Sequence, residues 1–347
     1  MERDLAPLVQ LLPPSPLSYD AKAPVWGWNR SLVHALSREG LGGLPTDEQI
    51  DAIRALSSRR TAVEMLPALR SRLGQEFTVG ESRMLMSEAA LAEATDTILS
   101  AWRAEHSSAL ILKAPYSGSG RGLRLVNGSL TEQQERWAQR CIREQGGVVA
   151  EPYYDKVIDF ALEFLVGSAA VDYLGLSVFT TNGNNVYAGN IIAPQQILQK
   201  KVSQYLPFLD FQQLIDAVKS EIERRFLGHY LGPVGVDMMV VRVTETDMKA
   251  DIKEAQPVYK FCPCVEVNVR RTMGELSLHL LPLLADGTEG FFRLLFDKSP
   301  AALAGRVAAM PKPVYDSRHR LISGTHLLTP IAPDHATTHY VALLETI

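Results

Sequence analysis

The sequence contains little cysteine, no excess of positive charge and no long apolar run, and each shortage argues against a class of protein. Three cysteines among 347 residues, Cys141, Cys262 and Cys264, give neither a disulfide framework nor the four ligands of a structural zinc site, so we favour packed thiols over a metal at Cys-Pro-Cys. The formal charge of -4 gives no electrostatic reason to expect a nucleic-acid partner. No stretch reaches the roughly 18 consecutive apolar residues of a transmembrane helix, and the proline-broken start does not resemble a signal peptide. We therefore expect a cytoplasmic protein that binds neither nucleic acid nor membranes.

Helical signals dominate the first part of the chain, whose total length is enough for two domains or three small lobes. One amphipathic helix is predicted between a cap at Asn29 and a stop at Gly40, and a second begins at Thr46, where Glu48 completes a helix-start pattern. Four arginines follow, and we interpret them as a solvated helical face, with anion binding as the alternative. They are Arg59, Arg60, Arg70 and Arg72.

Strands and helices are mixed in the rest of the chain. A helix from Ser87 leads into the strand ALILK, a glycine-rich loop, the strand GLRLV and a polar helix that ends at Gly146-Gly147. Punctuated alternation over residues 171–190 predicts hairpins, and helices are expected at 195–206 and 210–228. Two further strands are predicted in GPVGVDMMVVRV and YKFCPCVEVNVRR, and only weak helix signals fill 276–310.

Residues 110–126, LILKAPYSGSGRGLRLV, place a lysine directly before a loop rich in glycine and serine. A Walker loop would place its lysine after the last glycine, and a dinucleotide-binding loop would open a helix, whereas here Lys113 precedes the loop and a strand follows it. The remaining phosphate-binding design is a β-hairpin whose tip folds over phosphates while the strand lysine reaches them. A surface hairpin without a ligand is the alternative, and the loop alone does not decide between them.

Polar side chains alternate with valines in CVEVNVRR. Because successive residues of a strand face opposite sides, Glu266, Asn268 and Arg270 are expected on one face, with the valines in a core. A carboxylate and an amide oxygen suit Mg²⁺, and a guanidinium offsets phosphate charge. Upstream, Asp237 is a lone acid in an apolar strand, where burial is costly unless the acid is paired or bound to a cation. A salt bridge between Glu266 and an arginine is the alternative to a metal site.

Along the chain come a strand lysine with a glycine-rich hairpin, an acid-plus-hinge strand, a strand with a lone Asp, and then Glu-x-Asn. These motifs in this order resemble those of the ATP-grasp superfamily, over roughly residues 85–285. The similarity is greatest to members in which a Trp-Gly-Trp segment, here residues 26–28, precedes the grasp. The resemblance implies an α+β fold in which ATP lies between two antiparallel sheets. It implies an N-terminal lobe at 1–84, a small lobe with the glycine-rich flap at 85–165 and a large lobe with the metal site at 166–347.

The resemblance also assigns nucleotide contacts. Lys113 is expected to contact the phosphates of ATP and Asp159 the ribose hydroxyls, with Glu163 either assisting there or structural. A flap over the phosphates and a hinge beside the adenine are expected as well. Their residues are Ser117, Gly118, Ser119, Gly120 and Arg121 in the flap and Glu151, Pro152, Tyr153 and Tyr154 in the hinge.

The family's magnesium ligands match Asp237, Glu266 and Asn268, which implies two Mg²⁺ ions, with Mn²⁺ as a substitute. Arg270 matches a residue near the γ-phosphate or acyl-phosphate, and residues 271–274 match the loop that shapes the acceptor site. The chain departs from the family at a second phosphate-binding lysine, for which Arg83 is the candidate here. The first 80 residues also lack the usual βαβ pattern, which leaves the substrate unidentified.

The implied activity is ADP-forming ligation, in which ATP converts a carboxylate to an acyl-phosphate that an amine then attacks. Lys113 and Arg270 are the residues expected to assist catalysis. Phosphate transfer to a hydroxyl, and nucleotide binding without turnover, are the alternatives. The expected partners are ATP, a carboxylate and an amine acceptor, and a homodimer is the default assembly.

Overall fold

The structure is a computed structural model, and it describes residues 2–13, 25–93, 109–117, 122–182, 186–243, 258–331 and 337–347. Two antiparallel sheets, one of four and one of eight strands, dominate these residues, and a two-stranded ribbon accompanies them. The helices α1–α10 span Glu2–Leu5, Arg30–Arg38, Asp47–Leu56, Arg60–Leu73, Glu88–Glu93, Glu132–Gln145, Gln195–Ser203, Phe211–Phe226, Met273–Leu280 and Pro300–Ala308, with 3₁₀ turns at Ala6–Leu11 and Leu281–Leu283. The strands β1–β14 span Arg83–Leu85, Ala109–Lys113, Leu123–Asn127, Val148–Pro152, Asp155–Val166, Val171–Thr181, Tyr187–Ile192, Gly232–Val243, Val258–Asn268, Gly290–Phe296, Val314–Tyr315, Leu321–Ser323, Thr325–Leu327 and Tyr340–Thr346.

The small sheet has the strand order β1-β4-β2-β3 and contains the predicted hairpin. Strands β2 and β3 pair antiparallel, with Lys113 opposite Leu123 at the end nearest the loop. Helix α6 packs on this sheet through Ala138 and Cys141. The helix is fixed at both ends, since Thr131 forms a capping box at its start and Gly146 takes the left-handed conformation at its end. The predicted hairpin and the predicted end of α6 are thereby confirmed.

The large sheet has the order β13-β14-β10-β7-β6-β5-β8-β9, and its two faces differ in character around β5 and β8. On one face, fully buried apolar side chains such as Phe160, Val236 and Met238 pack against α7 and α8. Because strand residues alternate, the intervening positions of β5, β8 and β9 point to the opposite face. That opposite face carries the acids of the candidate site, so the hydrophobic core positions the polar residues.

Helices α3 and α4 belong to the core of the large sheet rather than to a separate lobe core. Met65, Leu66 and Leu69 of α4 are buried in the same cluster as Phe261 of β9. After α4 the chain runs beside β9, where the Val79 amide donates to the Phe261 carbonyl at 2.9 Å. The first turn of α3 is closed by a capping box between Thr46 and Gln49, so Gln49, not Glu48, is the partner in the predicted helix-start pattern.

Strand membership differs in two places from the expected lobes. Strand β1, at the expected boundary, joins the small sheet, and β5, which the expected small lobe included, lies within the large sheet. The division at 84 and 165 stays a prediction.

Strand β10 lies in the region where only weak helix signals were found. Its sequence GFFRLLF gives no polar–apolar alternation, since both faces of β10 are covered: Phe292 packs into one apolar cluster and Leu295, on the opposite face, into another. No helix in the described ranges combines the length and the apolar character needed to span a bilayer.

Candidate functional site

The three predicted metal ligands lie together on β8 and β9. Asp237 is directly opposite Glu266 in the strand register, and the Asn268 side chain donates from Nδ2 to Asp237 Oδ2 at 3.0 Å. Burial raises the pKa of Asp237 to about 7, and the negative charge of Glu266 adds to this shift, whereas the Asn268 hydrogen bond opposes it. Two adjacent carboxylates with an amide beside them fit a hard divalent cation. No cluster of three His, Cys, Asp or Glu side chains suited to a metal occurs in the described part of the chain.

The arginine–glutamate pair that the sequence left open is also present. Arg59 Nη2 lies 3.1 Å from Glu266 Oε2, and the same guanidinium donates to the Ala114 carbonyl and to Ser117 Oγ, both at 2.6 Å. Arg59 is only 6% exposed. Its interpretation as part of a solvated helical face is therefore wrong, because the residue immediately before α4 points inward between the two sheets.

Lys113 is buried at the end of β2 and forms an ion pair with the first residue of the predicted hinge. Lys113 Nζ lies 2.5 Å from Glu151 Oε2, and Ser82 donates to the other carboxylate oxygen at 3.1 Å. Neighbouring strand β4 carries Glu151, which is opposite Ile111 in the register. The strand lysine and the hinge acid thus lie side by side, as expected if both face one nucleotide.

The predicted hinge connects the two sheets. Strand β4 ends at Pro152, strand β5 begins at Asp155, and Tyr153 and Tyr154 lie between them. The Tyr153 amide donates to the Ala109 carbonyl at 3.0 Å, whereas Tyr154 is buried in the core of the large sheet, which raises the pKa of its hydroxyl. Each tyrosine is therefore anchored to a different sheet.

Asp159 and Glu163 share the polar face of β5 but have different surroundings. Asp159 Oδ2 lies 2.6 Å from Lys156 Nζ and accepts from Thr181 Oγ1 at 3.3 Å, and burial raises its pKa. Glu163 accepts from Ser177 at 3.1 Å and from Thr272 at 2.8 Å, and burial raises its pKa to about 8. These contacts favour the structural alternative for Glu163.

The loop after β9 is held by the N-terminal Trp-Gly-Trp segment. The Arg271 amide donates to the Trp26 carbonyl at 2.9 Å, and the buried Arg271 guanidinium contacts the Pro13 carbonyl and Glu275. Exposed Arg270 packs beside Gly27, where an added Cβ would lie 3.0 Å from the Arg270 Cβ. The predicted acceptor loop is therefore bordered by a segment far away in sequence.

The flap is described only at its base. The Ala114 amide donates to the Gly122 carbonyl at 2.9 Å, and Ser117 is fixed by Arg59. The predicted flap residues Gly118, Ser119, Gly120 and Arg121 lie outside the described residues.

Sequence reasoning missed Arg59, Lys156 and Gly27 as members of this site. Neither Arg59 nor Lys156 gave a signal in the sequence. The burial of Arg59 follows from the packing of α4, and a spacing of three places two side chains on opposite faces of a regular strand; the register shift directly after Lys156 is what brings Lys156 beside Asp159. Arg83, the candidate for a second phosphate-binding cation, lies exposed on β1 at the edge of the small sheet.

Several solved structures resemble the chain at low sequence identity. N5-carboxyaminoimidazole synthetase from Staphylococcus aureus complexed with ADP is 15% identical with a TM-score of 0.45, over 83% of this chain and 67% of that one. Carboxyaminoimidazole ribonucleotide synthase from Aspergillus clavatus complexed with ATP is 14% identical with a TM-score of 0.48, over 91% and 74%. The biotin carboxylase–β,γ-ATP complex from Campylobacter jejuni is 13% identical with a TM-score of 0.49, over 93% and 70%. No protein-family model and no curated protein matches the chain.

Proposed function

We propose that the chain is an ATP- and Mg²⁺-dependent ligase of the ATP-grasp type, which activates a carboxylate for attack by an amine and forms ADP. The observation that carries the proposal is that one guanidinium contacts both the loop after Lys113 and the carboxylate of Glu266. The lysine side of the small sheet and the acid pair of the large sheet therefore lie within the reach of a single side chain, Arg59. A nucleotide with its metal fits this combination of charges.

In this proposal the nucleotide lies between the sheets. Lys113 and the flap bind its phosphates, and the hinge from Glu151 to Tyr154 lies along the adenine. Asp159 accepts hydrogen bonds from the ribose hydroxyls. Lys156 pairs with Asp159 at 2.6 Å and would share that carboxylate with the ribose. These assignments rest on the resemblance together with the grouping of the side chains.

Asp237, Glu266 and Asn268 would hold Mg²⁺, which supplies positive charge against the phosphate oxygens when bound. The raised pKa of Asp237 supports this use, because a carboxyl that ionises reluctantly beside another carboxylate is stabilised in its charged form by a cation. The Asn268 bond to Asp237 orients that carboxylate, and Arg59 Nη2 orients Glu266 by donating to both of its oxygens.

The proposed reaction has two steps. A carboxylate oxygen of the substrate attacks the γ-phosphorus of ATP and ADP leaves; the amine then attacks the acyl carbon and inorganic phosphate leaves. Lys113 and Arg270 offset charge on the transferring phosphoryl group. Closure of the flap excludes water, which would otherwise hydrolyse the acyl-phosphate. The three cysteines are free and buried, and the cytoplasm is the compartment we propose.

The first test is the melting temperature of the protein with Mg·ADP, compared with ADP in EDTA. A ligand present at 100 times its dissociation constant stabilises the folded state by about 2.7 kcal/mol. The shift should require magnesium and should shrink in Lys113→Ala. Lys219→Ala is the matched control, because Lys219 lies on a helix and pairs only loosely, at 3.9 Å, with Glu223. Absence of a magnesium-dependent shift at millimolar nucleotide would contradict the proposal.

The second test separates the reaction types. Phosphate release that needs both a carboxylate and an amine supports ligation. Transfer of the phosphoryl group to a hydroxyl without phosphate release would identify a phosphotransferase, and binding without turnover a nucleotide-binding module. Light scattering on the same protein measures its molar mass in solution and so tests whether it is the expected homodimer.

A further inference from the structure

Arg59 stands apart from the other arginines near α4. It is 6% exposed, whereas its neighbour Arg60 is exposed and its Nη2 contacts the sulfur of Met86 at 3.1 Å. Both terminal nitrogens of Arg59 are in use: Nη1 donates to the Ala114 carbonyl and Ser117 Oγ, and Nη2 to both oxygens of Glu266 at 3.1 and 3.2 Å. A buried guanidinium with this many acceptors is held in one geometry.

Three separate parts of the chain meet at this side chain. Arg59 itself belongs to the N-terminal region and precedes α4, which is fixed in the core of the large sheet. Ala114 and Ser117 form the base of the flap that follows β2, and Glu266 lies on β9. The Arg59 amide also donates to the Pro115 carbonyl at 3.1 Å, so backbone and side chain both hold the flap base.

The packing of α4 determines which part of the site Arg59 holds in place. Because α4 packs on the large sheet, Arg59 keeps a nearly constant position relative to β9 and Glu266. The small sheet, with a core of its own, is the part that the guanidinium holds in place. Lys113 immediately precedes Ala114, so fixing the Ala114 carbonyl also fixes the distance from the lysine to the metal-binding strand.

We infer that Arg59 is a positioning residue of the nucleotide site: it clasps the base of the flap to the metal-binding strand. This inference rests on the proposed function and adds to it a residue from the N-terminal region. Arg59 acts through Ser117 and Glu266, by setting how closely the phosphate-binding and metal-binding groups approach each other.

The direct test replaces the guanidinium by an uncharged side chain of similar length, in Arg59→Met. Loss of hydrogen bonds to a charged group should weaken Mg·ADP binding about tenfold or more, as measured by calorimetric titration. Arg60→Met is the matched control and should change the dissociation constant by less than about twofold, as expected of a surface site. If Arg59→Met does not fold, Arg59→Lys tests the same point, because an ammonium lacks the fork that spans Ser117 and Glu266.

A double-mutant cycle distinguishes positioning from general stabilisation. Ser117→Ala alone should weaken Mg·ADP binding, and the same change in the Arg59→Met background should have little further effect, because the contact is already lost. If the two substitutions changed the dissociation constant of Mg·ADP by factors that simply multiply in the double mutant, Arg59 would not act through the flap base.

Hydrogen exchange without nucleotide tests the clasp independently of function. Amides in residues 110–117 should exchange faster in Arg59→Met than in wild type and Arg60→Met, and unchanged exchange would overturn the clasp. A wild-type protein that does not bind Mg·ADP would overturn the proposed function together with this use of Arg59. Wild-type binding with equal affinity in Arg59→Met would overturn this inference alone.

Discussion

Asp237 and Glu266 face each other on two neighbouring strands, so protons would compete with the proposed Mg²⁺ for the pair. Two carboxylates at this spacing repel when both are ionised, and burial together with the Glu266 charge raises the pKa of Asp237 to about 7. The Arg59 guanidinium binds only Glu266 of the two. A divalent cation between the carboxylates would favour the ionised form of both.

We expect Glu266→Gln to abolish the magnesium-dependent stabilisation by ADP. Glutamine keeps the shape of the side chain and an oxygen for Arg59 but removes the charge that a metal needs. The unliganded variant should also melt lower, since Arg59 loses its ion pair, so the ligand-induced shift is the quantity to compare. At 100 times the wild-type dissociation constant, a stabilisation of about 2.7 kcal/mol should disappear.

The control for this change is Glu132→Gln, which removes a carboxylate that is 87% exposed on α6. Its shift should equal that of the wild type. A full shift in Glu266→Gln would remove Glu266 from the metal site and leave the Arg59 salt bridge as its whole role.

The raised pKa of Glu163 predicts that the stability of the protein depends on pH. Burial raises its pKa from an ordinary value of 4.5 to about 8, with smaller contributions from the charges of Asp237 and Glu275, while hydrogen bonds from Thr272 and Ser177 oppose the shift. Folding therefore takes up a proton between these two pKa values. The stability from the protonated carboxyl is complete below pH 4.5, falls as the pH rises and is lost above pH 8.

We expect wild type to lose stability relative to Glu163→Gln as the pH rises from 5 to 9, by up to about 1.4 kcal/mol per pH unit. Glutamine cannot ionise, yet it keeps an oxygen for Thr272. Urea midpoints at several pH values measure the difference, and Glu132→Gln again serves as the control. Parallel profiles for wild type and Glu163→Gln would show that the buried carboxyl does not set this dependence.

At the scale of elements, the sequence predicted the structures that depend on local periodicity. The alternation in CVEVNVRR predicted that Glu266 and Asn268 share one face while Val267 and Val269 lie in the core, and the caps of α6 marked its ends. The α+β class with two antiparallel sheets is confirmed as well. Strand β10 was missed because a strand covered on both faces has a continuous apolar run, which a short buried helix shares.

Contacts between distant segments could not be predicted in the same way. Arg59 and Glu266 are separated by 207 positions, and their contact depends on how α4 packs against β9. The arginine next to Arg59 gave no sign of this contact, since Arg60 is exposed. The same holds for Trp26, whose carbonyl binds the amide of Arg271. Neither pair has a periodicity from which it could be inferred.

The Trp-Gly-Trp segment gives a prediction at the level of one element packed on another. Gly27 lies so close to Arg270 that an added methyl group would be 3.0 Å from the Arg270 Cβ, and one of the two segments would have to shift. We expect Gly27→Ala to lower stability by about 1 kcal/mol and to reduce turnover more than Mg·ADP affinity, because in the proposed reaction Arg270 would offset charge on the transferring phosphoryl group.

Gly42→Ala provides the comparison, since nothing lies within 4 Å of its added Cβ. Both changes reduce the freedom of the unfolded chain equally, so their difference in melting temperature isolates the packing against Arg270. Equal melting temperatures would mean that the segment does not press on the loop after β9.

At the scale of the whole molecule, the candidate site lies where two sheets with separate cores meet. Tyr153 and Tyr154 connect them in sequence, and Arg59 connects them in space. Each sheet brings charged groups to this junction, with the Lys113–Glu151 pair on the small sheet and Asp237 beside Glu266 on the large one. A ligand that bridges the sheets should therefore stabilise both together.

Hydrogen exchange with and without Mg·ADP tests this arrangement. A nucleotide between the sheets should slow exchange at the base of the flap and the hinge, residues 110–117 and 151–154, and also in β8 and β9. Helix α10 and strands β13 and β14 lie at the other end of the large sheet and serve as the internal control, with no expected change. ADP in EDTA should protect β8 and β9 less, because in the proposed function it is Mg²⁺ that would bring the phosphates to Asp237 and Glu266. Protection confined to one sheet would mean that the nucleotide does not bridge the two, and the charged groups at their junction would then have to serve a different ligand.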